Sequence, residues 1–382
     1  MPDLLFNRLV LRGLWMSSMA KAALRYYNPR RRQAGRHHTD FYERTWREAA
    51  LEIGASHVQL APDIAEIELD GTRTRVFSNV SAIDDPVTLH ILHDKPLTHQ
   101  ILAEQGLPVP KHARFSLSNT KPAVEFLEST ARDCVVKPAS GTGGGRGVTT
   151  GIRRRWHLAR AAAAAAVYGD DLMIEEQVTG DNYRLLYLDG VLIDSFVRRL
   201  PMVVGDGKSS IATLVKRHND ERLAHGAGLS QVLLTVDLDM RRTLARQGLS
   251  MRSVPAEGAC VTLKTVVNEN CGNDNTTATQ LLHPSIVEDG TRAVTALGAR
   301  FAGIDIVTPD PTVPLASSGG VVLEVNGTPN LYYHYNKRDG AFPVAIHLLK
   351  RLLQPDASDR ERVSSAPDQR DDDASPELVQ NA

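Results

Sequence analysis

The chain has 382 residues, 42% of them hydrophobic, and a formal net charge of −1 at pH 7. That length and apolar content fit a soluble globular protein of two or three packed subdomains with a large core. The near-neutral charge gives no reason to expect a nucleic-acid partner, since only the Arg-rich first fifty residues are basic. Cys134, Cys260 and Cys271 are the only cysteines. An odd number without CxxC spacing excludes a disulfide framework and a zinc site, and a cytoplasmic protein is expected.

Residues 1–27 alternate Leu5, Leu9 and Trp15 with Arg8, Arg12 and Lys21, which predicts an amphipathic basic helix. The interrupting charges argue against a signal peptide or a membrane span, and packing on the protein is its simplest use. Helical spacing follows from Phe41 to Ile53, ending at Gly54. Two strand-like runs, Ala65–Leu69 and Thr74–Val80, flank Asp70-Gly71, a strong hairpin signal. This predicts a small α/β unit over residues 1–90.

Asp94, Pro96 and Gly106 punctuate the next helix as cap, first-turn residue and stop. From Cys134 the chain reads as a strand, a Gly-rich loop over Ser140–Gly147, a helix over Trp156–Val167 and a strand over Leu172–Glu175. Asp189-Gly190 marks another hairpin, between Tyr183–Leu188 and Val191–Val197. Helices are predicted at Ile211–Arg217, Met240–Gln247, Ser285–Leu297 and Val344–Leu353. Beyond Pro355 the chain is polar and acidic, which predicts a disordered tail over 355–382.

Three constellations bear on chemistry. In the Gly-rich loop, Gly143, Gly144, Gly145 and Gly147 would let backbone N–H groups converge on phosphate oxygens where a strand meets a helix. The loop has neither the Gly-Lys-Ser/Thr ending of a Walker A motif nor the third glycine of the dinucleotide fingerprint, and its bland alternative is a ligand-free surface loop. Lys137, leaving a strand just before it, and Lys95 would supply point charges for phosphates. The second constellation is Glu175-Glu176-Gln177-Val178, a strand exit suited to an adenine edge and a ribose; the third joins Asp305 to Glu324 and Asn326. A strand would point Glu324 and Asn326 to one face, giving with Asp305 a hard-oxygen set of the kind Mg²⁺ accepts.

The order of these parts resembles the ATP-grasp superfamily. The segments Asp94–Thr98, Val136–Pro138, Gly180–Leu186, Val203–Lys208, Gly303–Asp310 and Glu324–Asn326 are similar to the ligase module of cyanophycin synthetases and bifunctional glutathione synthetases. The resemblance implies an α/β (α+β) fold in which two α+β subdomains enclose ATP, preceded by the small N-terminal region. It places the grasp domain at 91–354, with a lid subdomain near 116–180. It further implies an ATP-dependent carboxylate–amine ligase that forms an amide through an acyl phosphate on an amino acid or short peptide. ATP with Mg²⁺ or Mn²⁺ would serve it, and a small carboxylate and an amine would be its partners, with room for a homo-oligomer.

In that reading Lys95, Lys137 and the loop glycines hold phosphates, while Glu175, Glu176 and Val178 face adenine and Asp181 or Asn182 the ribose. Asp305, Glu324 and Asn326 hold the metal, and Arg184 and Arg199 neutralise charge on the transferred phosphoryl group. Two other classes compete: a small-molecule kinase using the same cleft, and a non-catalytic nucleotide-binding protein. Gly327–Tyr335, expected to border the acceptor substrate, departs from the family pattern with an aromatic run that fits either a different substrate or a well-packed strand end.

Overall fold

A computed structural model describes residues 8–26, 29–224, 233–270 and 274–354; the tail expected to be disordered lies outside them. Two helices open the chain, α1 (Arg8–Tyr26) and α2 (Pro29–Glu52). The second begins well upstream of the expected Phe41, on a proline that has no N–H to leave unpaired in a first turn. Strands β1 (Ser56–Ala61), β2 (Ile64–Leu69), β3 (Thr72–Phe77) and β4 (Val80–Ser81) form an antiparallel sheet in that order. Asp70 and Gly71 both adopt positive φ, 49° and 81°, as the tight turn between β2 and β3 demands. The core between α2 and this sheet is not closed. Phe41, Tyr42 and Trp46 pack with Ile67 and Val76, and the same cluster runs on into Leu186, Phe196, Phe301 and Tyr333.

Next come α3 (Pro86–His93) and α4 (Lys95–Glu104), whose first turns are held by Asp85 and Asp94. The lid subdomain follows: β5 (His112–Phe115), α5 (Lys121–Ser129), β6 (Cys134–Pro138), β7 (Thr149–Ile152), α6 (Arg155–Ala165) and β8 (Leu172–Glu176). Its sheet order is β5-β8-β6-β7, antiparallel throughout. This corrects one expectation, because the Gly-rich loop joins β6 to β7 and not to a helix. The run Val148-Thr149-Thr150 carries enough β-branched residues to return as a strand before the helix begins. Alternation sends Cys134, Val136, Leu172 and Ile174 outward, under α5 and α6. Helix α1 lies on α6, with Trp15 Nε1 donating to Ala166 O at 3.2 Å, so the basic helix packs on the protein.

The central sheet is built from β9 (Asp181–Leu188), β10 (Val191–Arg198), β13 (Thr276–Thr277), β14 (Phe301–Thr308) and β15 (Val321–Asn326), in the order β13-β10-β9-β14-β15. An insertion between β10 and β13 has its own core, made by β11 (Met202–Val204), α7 (Ile211–Ala224), α8 (Leu238–Arg246) and β12 (Cys260–Thr262). One face of the central sheet buries Tyr183, Leu185, Tyr187, Ile304 and Ile306 together with Ile286, Ala293 and Val294 of α9 (Pro284–Ala296). No helix among the described residues is long and apolar enough to cross a membrane.

The contact of α9 with the sheet is close enough to require glycine. A Cβ on Gly290 would lie 2.7 Å from Cε2 of Tyr187 and nearer still to its hydroxyl, which donates to Val287 O at 2.8 Å. Alanine in place of glycine mid-helix gains about 1 kcal/mol of propensity, whereas overpacking against a buried ring costs about 1–3 kcal/mol. Gly290→Ala is therefore expected to lower stability, read as a reduced urea midpoint with an unchanged slope.

Candidate active site

The opposite face of the central sheet carries the charged residues. Register sets Arg184 on β9 beside Asp305 on β14, and Asp305 beside Glu324 on β15. In the neighbouring rows Asn182 lies opposite Arg198, and Gly303 opposite Asn326. Since facing residues share a face, Arg184, Arg198, Asp305, Glu324 and Asn326 converge, and they line a cavity of about 300 Å³ together with Lys95 and Gly141–Gly144.

The centre is Asp305, 3% exposed. Arg184 reaches it with two N–H groups, at 2.5 and 3.1 Å, and Arg198 with one at 3.1 Å. Burial pushes the Asp305 carboxyl up, but the two guanidiniums outweigh it and hold the group below its usual range. Arg198 is lowered by its own burial and by Arg184, with Asp305 working the other way. Gly303 makes this packing possible, since a Cβ there would meet Arg184 Nη1 at 2.5 Å and Pro329 Cβ at 3.0 Å.

Glu324 pairs with Lys95 Nζ at 3.4 Å, and Lys95 also approaches Thr142 O of the Gly-rich loop at 3.5 Å. Glu324 and Asn326 are partly exposed to the cavity. A carboxylate offers about four acceptor positions, of which Asp305 uses three on its arginines. Two carboxylates and an amide oxygen on adjacent strands thus fit a hard divalent cation, with Glu324 and Asn326 the more accessible donors.

On the inner face of the lid, Lys137 Nζ contacts Glu175 Oε1 at 2.7 Å, and both side chains are buried. His99 of α4 lies beside them: burial first, then Lys137, pushes it down to about 3, so it is neutral. Its Nε2 donates to Leu323 O at 2.9 Å, which leaves Nδ1 an acceptor. Three buried acceptors here have no donor: Glu175 Oε2, His99 Nδ1 and Asn182 Oδ1. A buried acceptor without a donor is costly, and a ligand with an exocyclic amine and hydroxyls would supply the missing donors.

The remaining expected residues lie around these groups. Gly143 and Gly144 line the cavity, and Gly145 and Gly147 continue the loop beyond it. Glu176 accepts from Thr130 at 3.0 Å, and Val178 follows at the strand exit. Arg199 is half exposed and pairs with Asp181 at 3.5 Å, outside the cavity, while Arg198 is the second arginine inside it. His99 and Arg198 had escaped the sequence reading. Strand alternation from Phe196 would have pointed to Arg198, whereas a lone histidine in a helix carries no such signal.

Gly327–Tyr335 borders the same cavity and is held from the N-terminal region. Tyr42 donates to Asn330 Oδ1 at 2.9 Å and accepts from Leu331 N at 3.1 Å, and Asn79 donates to Thr328 O at 2.6 Å. Beneath it, His334 Nδ1 donates to Asp194 at 2.7 Å, and Lys337 contacts the other carboxylate oxygen at 2.6 Å.

The chain belongs to the ATP-grasp superfamily. It is 33% identical over 252 residues to the cyanophycin synthetase of Trichormus variabilis, covering 65% of this chain and 27% of that protein. It is also 30% identical over 265 residues to the glutathione biosynthesis bifunctional protein of Mannheimia succiniciproducens, covering 67% of this chain and 34% of that one. The crystal structure of a bifunctional glutathione synthetase from Pasteurella multocida superposes with a TM-score of 0.51 at 24% identity, over 80% of this chain and 42% of the other. The chain thus spans about a third or less of the length of these two curated relatives. No family profile matches it.

Burial pushes His334 down to about 4, against the opposing pull of Asp194. The folded value lies below the unfolded value of about 6.5. The neutral ring therefore contributes stability in full above pH 6.5, and that contribution is lost as pH falls towards 4. Over that window the loss amounts to roughly 3 kcal/mol. Denaturant titrations at stepped pH should show a steeper decline for the native protein than for His334→Asn, which keeps an N–H for Asp194 but cannot titrate.

Proposed function

We propose that this protein is an ATP-dependent carboxylate–amine ligase acting on an amino acid or short peptide. The observation that carries the reading is the convergence on one cavity of Lys95, the Gly-rich loop, Arg184, Arg198, Asp305, Glu324 and Asn326. The unsatisfied acceptors on Glu175, His99 and Asn182 extend it towards a nucleoside. The names of the similar proteins, synthetases of amide-linked products, agree with it, and nothing in the site favours the kinase or the non-catalytic alternative.

In the proposed reaction a substrate carboxylate oxygen attacks the γ-phosphorus of ATP, and the bond to ADP breaks to give an acyl phosphate. An amine then attacks the acyl carbon, the C–N bond forms, phosphate leaves and the amine loses a proton. No side-chain nucleophile is needed. Lys95 and Lys137 supply fixed positive charge for phosphates, and Glu324 and Asn326, with Asp305 behind them, would hold a divalent cation, Mg²⁺ or Mn²⁺. That cation would neutralise charge on the phosphate oxygens. Arg184 and Arg198 project beside the point where negative charge develops and are held rigid by Asp305, so they need little rearrangement as the reaction proceeds. Arg199 and Asp181 form an exposed pair next to this group, on the proposed ribose side. The neutral polar rim of Asn79, Thr328 and Asn330 would receive the acceptor.

Incubation with Mg-ATP and pooled amino acids and dipeptides should release ADP and phosphate together with a product one water lighter than its two substrates. A phosphorylated product without free phosphate would overturn the ligase reading in favour of a kinase. Glu324→Gln is expected to lower turnover at least about a hundredfold with an unchanged melting temperature. Full activity in that variant would remove Glu324 from the metal set.

A further inference from the structure

A second cavity, of about 840 Å³, lies on the other side of the Gly-rich loop and shares no residue with the first. Gly141–Gly144 face the candidate active site, while Gly145–Thr149 line the second space. Its other walls come from α1, from α6 and the turn after it, and from the segment that leads into α8. Its volume falls in the range of about 300–1,000 Å³ typical of small-molecule sites.

Its charges are unbalanced. Lys21 of α1, Arg146 of the loop, Arg160 of α6 and Arg241 of α8 surround it, and none of them forms an ion pair among the described residues. Elsewhere on the surface Arg73, Arg75, Arg114 and Arg300 each pair with a carboxylate, whereas Arg44, Arg252 and Arg338 form no ion pair among the described residues; what distinguishes the cavity is that four such cations share one space. The two acids of the cavity are already engaged. Asp237 and Glu269 clasp the buried Lys264 at 2.7 and 2.8 Å, and they also accept from Met240 N and Thr235 N. Arg160 also makes a minor contribution to groups outside the cavity. His157 is pushed down to about 4 by burial and by Arg242, Arg154 and Arg160, while Arg242 is lowered by burial and by Arg246, with Arg160 adding to it.

We propose that this cavity binds a small multivalent oxyanion, a compound carrying two or more carboxylate or phosphate groups. A single exposed charge contributes about 1 kcal/mol or less, so a monovalent anion would bind weakly and several groups held together would be retained. The inference goes beyond the ligase reading and does not depend on it.

The test is calorimetric titration of the full chain at low salt with two probes, tricarballylate and tripolyphosphate; the probe that binds better identifies the ligand's oxyanion. Because tripolyphosphate can also enter the phosphate region assigned to Lys95, both probes are titrated in a Lys95→Ala background as well. One site is expected to remain there, weakened by salt and weakened about tenfold or more when Arg160→Ala/Arg241→Ala is added. Arg160 and Arg241 are exposed, so the double variant should keep its melting temperature. Lys21→Ala, on another element, is expected to weaken binding as an independent check. Absence of binding by both probes, equal binding in every cavity variant, or loss of binding in Lys95→Ala alone would overturn the proposal.

Discussion

A buried carboxylate held by two buried guanidiniums is the constraint on which the site depends. Removing a charge from water costs several kcal/mol per ion even after relaxation, and Asp305 is tolerated because three N–H groups meet it. The arrangement needs adjacent strands in fixed register, a glycine at 303 to let Arg184 lie across β14, and Arg198 arriving from β10. With Lys95 and Glu324 included, three cations face two carboxylates, which leaves an excess of positive charge where the proposed substrates are most negative. Losing either arginine would leave a buried charge short of partners, so the same cluster constrains folding and chemistry together.

The N-terminal region is part of the site's structure and not an appendage. Tyr42 and Asn79 hold the segment after Asn326, and Phe41 meets Tyr332 and Tyr335 edge to face, with ring centroids at 5.3 and 5.9 Å. The aromatic run 332–335 is therefore used for packing against α2, while Asn330 and Tyr333 still reach the cavity. The shape of the cavity wall after Asn326 is consequently set by residues almost three hundred positions apart in the chain.

Much of the N-terminal and central sheets could be read in advance, because their hairpin turns, Asp70-Gly71 and Asp189-Gly190, and their apolar alternation are local signals. Glu324, Asn326 and Asp305 were legible as a set for the same reason, since two-residue periodicity fixes which side chains share a face. The partners of Asp305 were not legible. Whether a strand acid meets a cation or an arginine depends on the register of three strands, and that is a long-range property. Strand β7 was hidden by the loop glycines before it and the alanine run after it, which read as loop and helix. Strand β1 was missed because its side chains are largely exposed and show no alternation of burial.

The hairpin setting of the Gly-rich loop has a mechanical consequence. Thr150, just past the loop, is fixed to Asp239 of α8 through its N–H and its hydroxyl at 3.0 and 2.7 Å, and Arg242 caps Thr150 O and Gly151 O from the same helix. At the other end, Ala139 O is held by Lys95 N at 3.0 Å. Both feet of the arch are thus clamped to different parts of the molecule, while its crown is joined internally by only Val148 N to Gly145 O and Arg146 Nε to Gly143 O. Bending of the loop is thereby confined to its crown and glycines, while the clamps and the sheet beneath hold their positions.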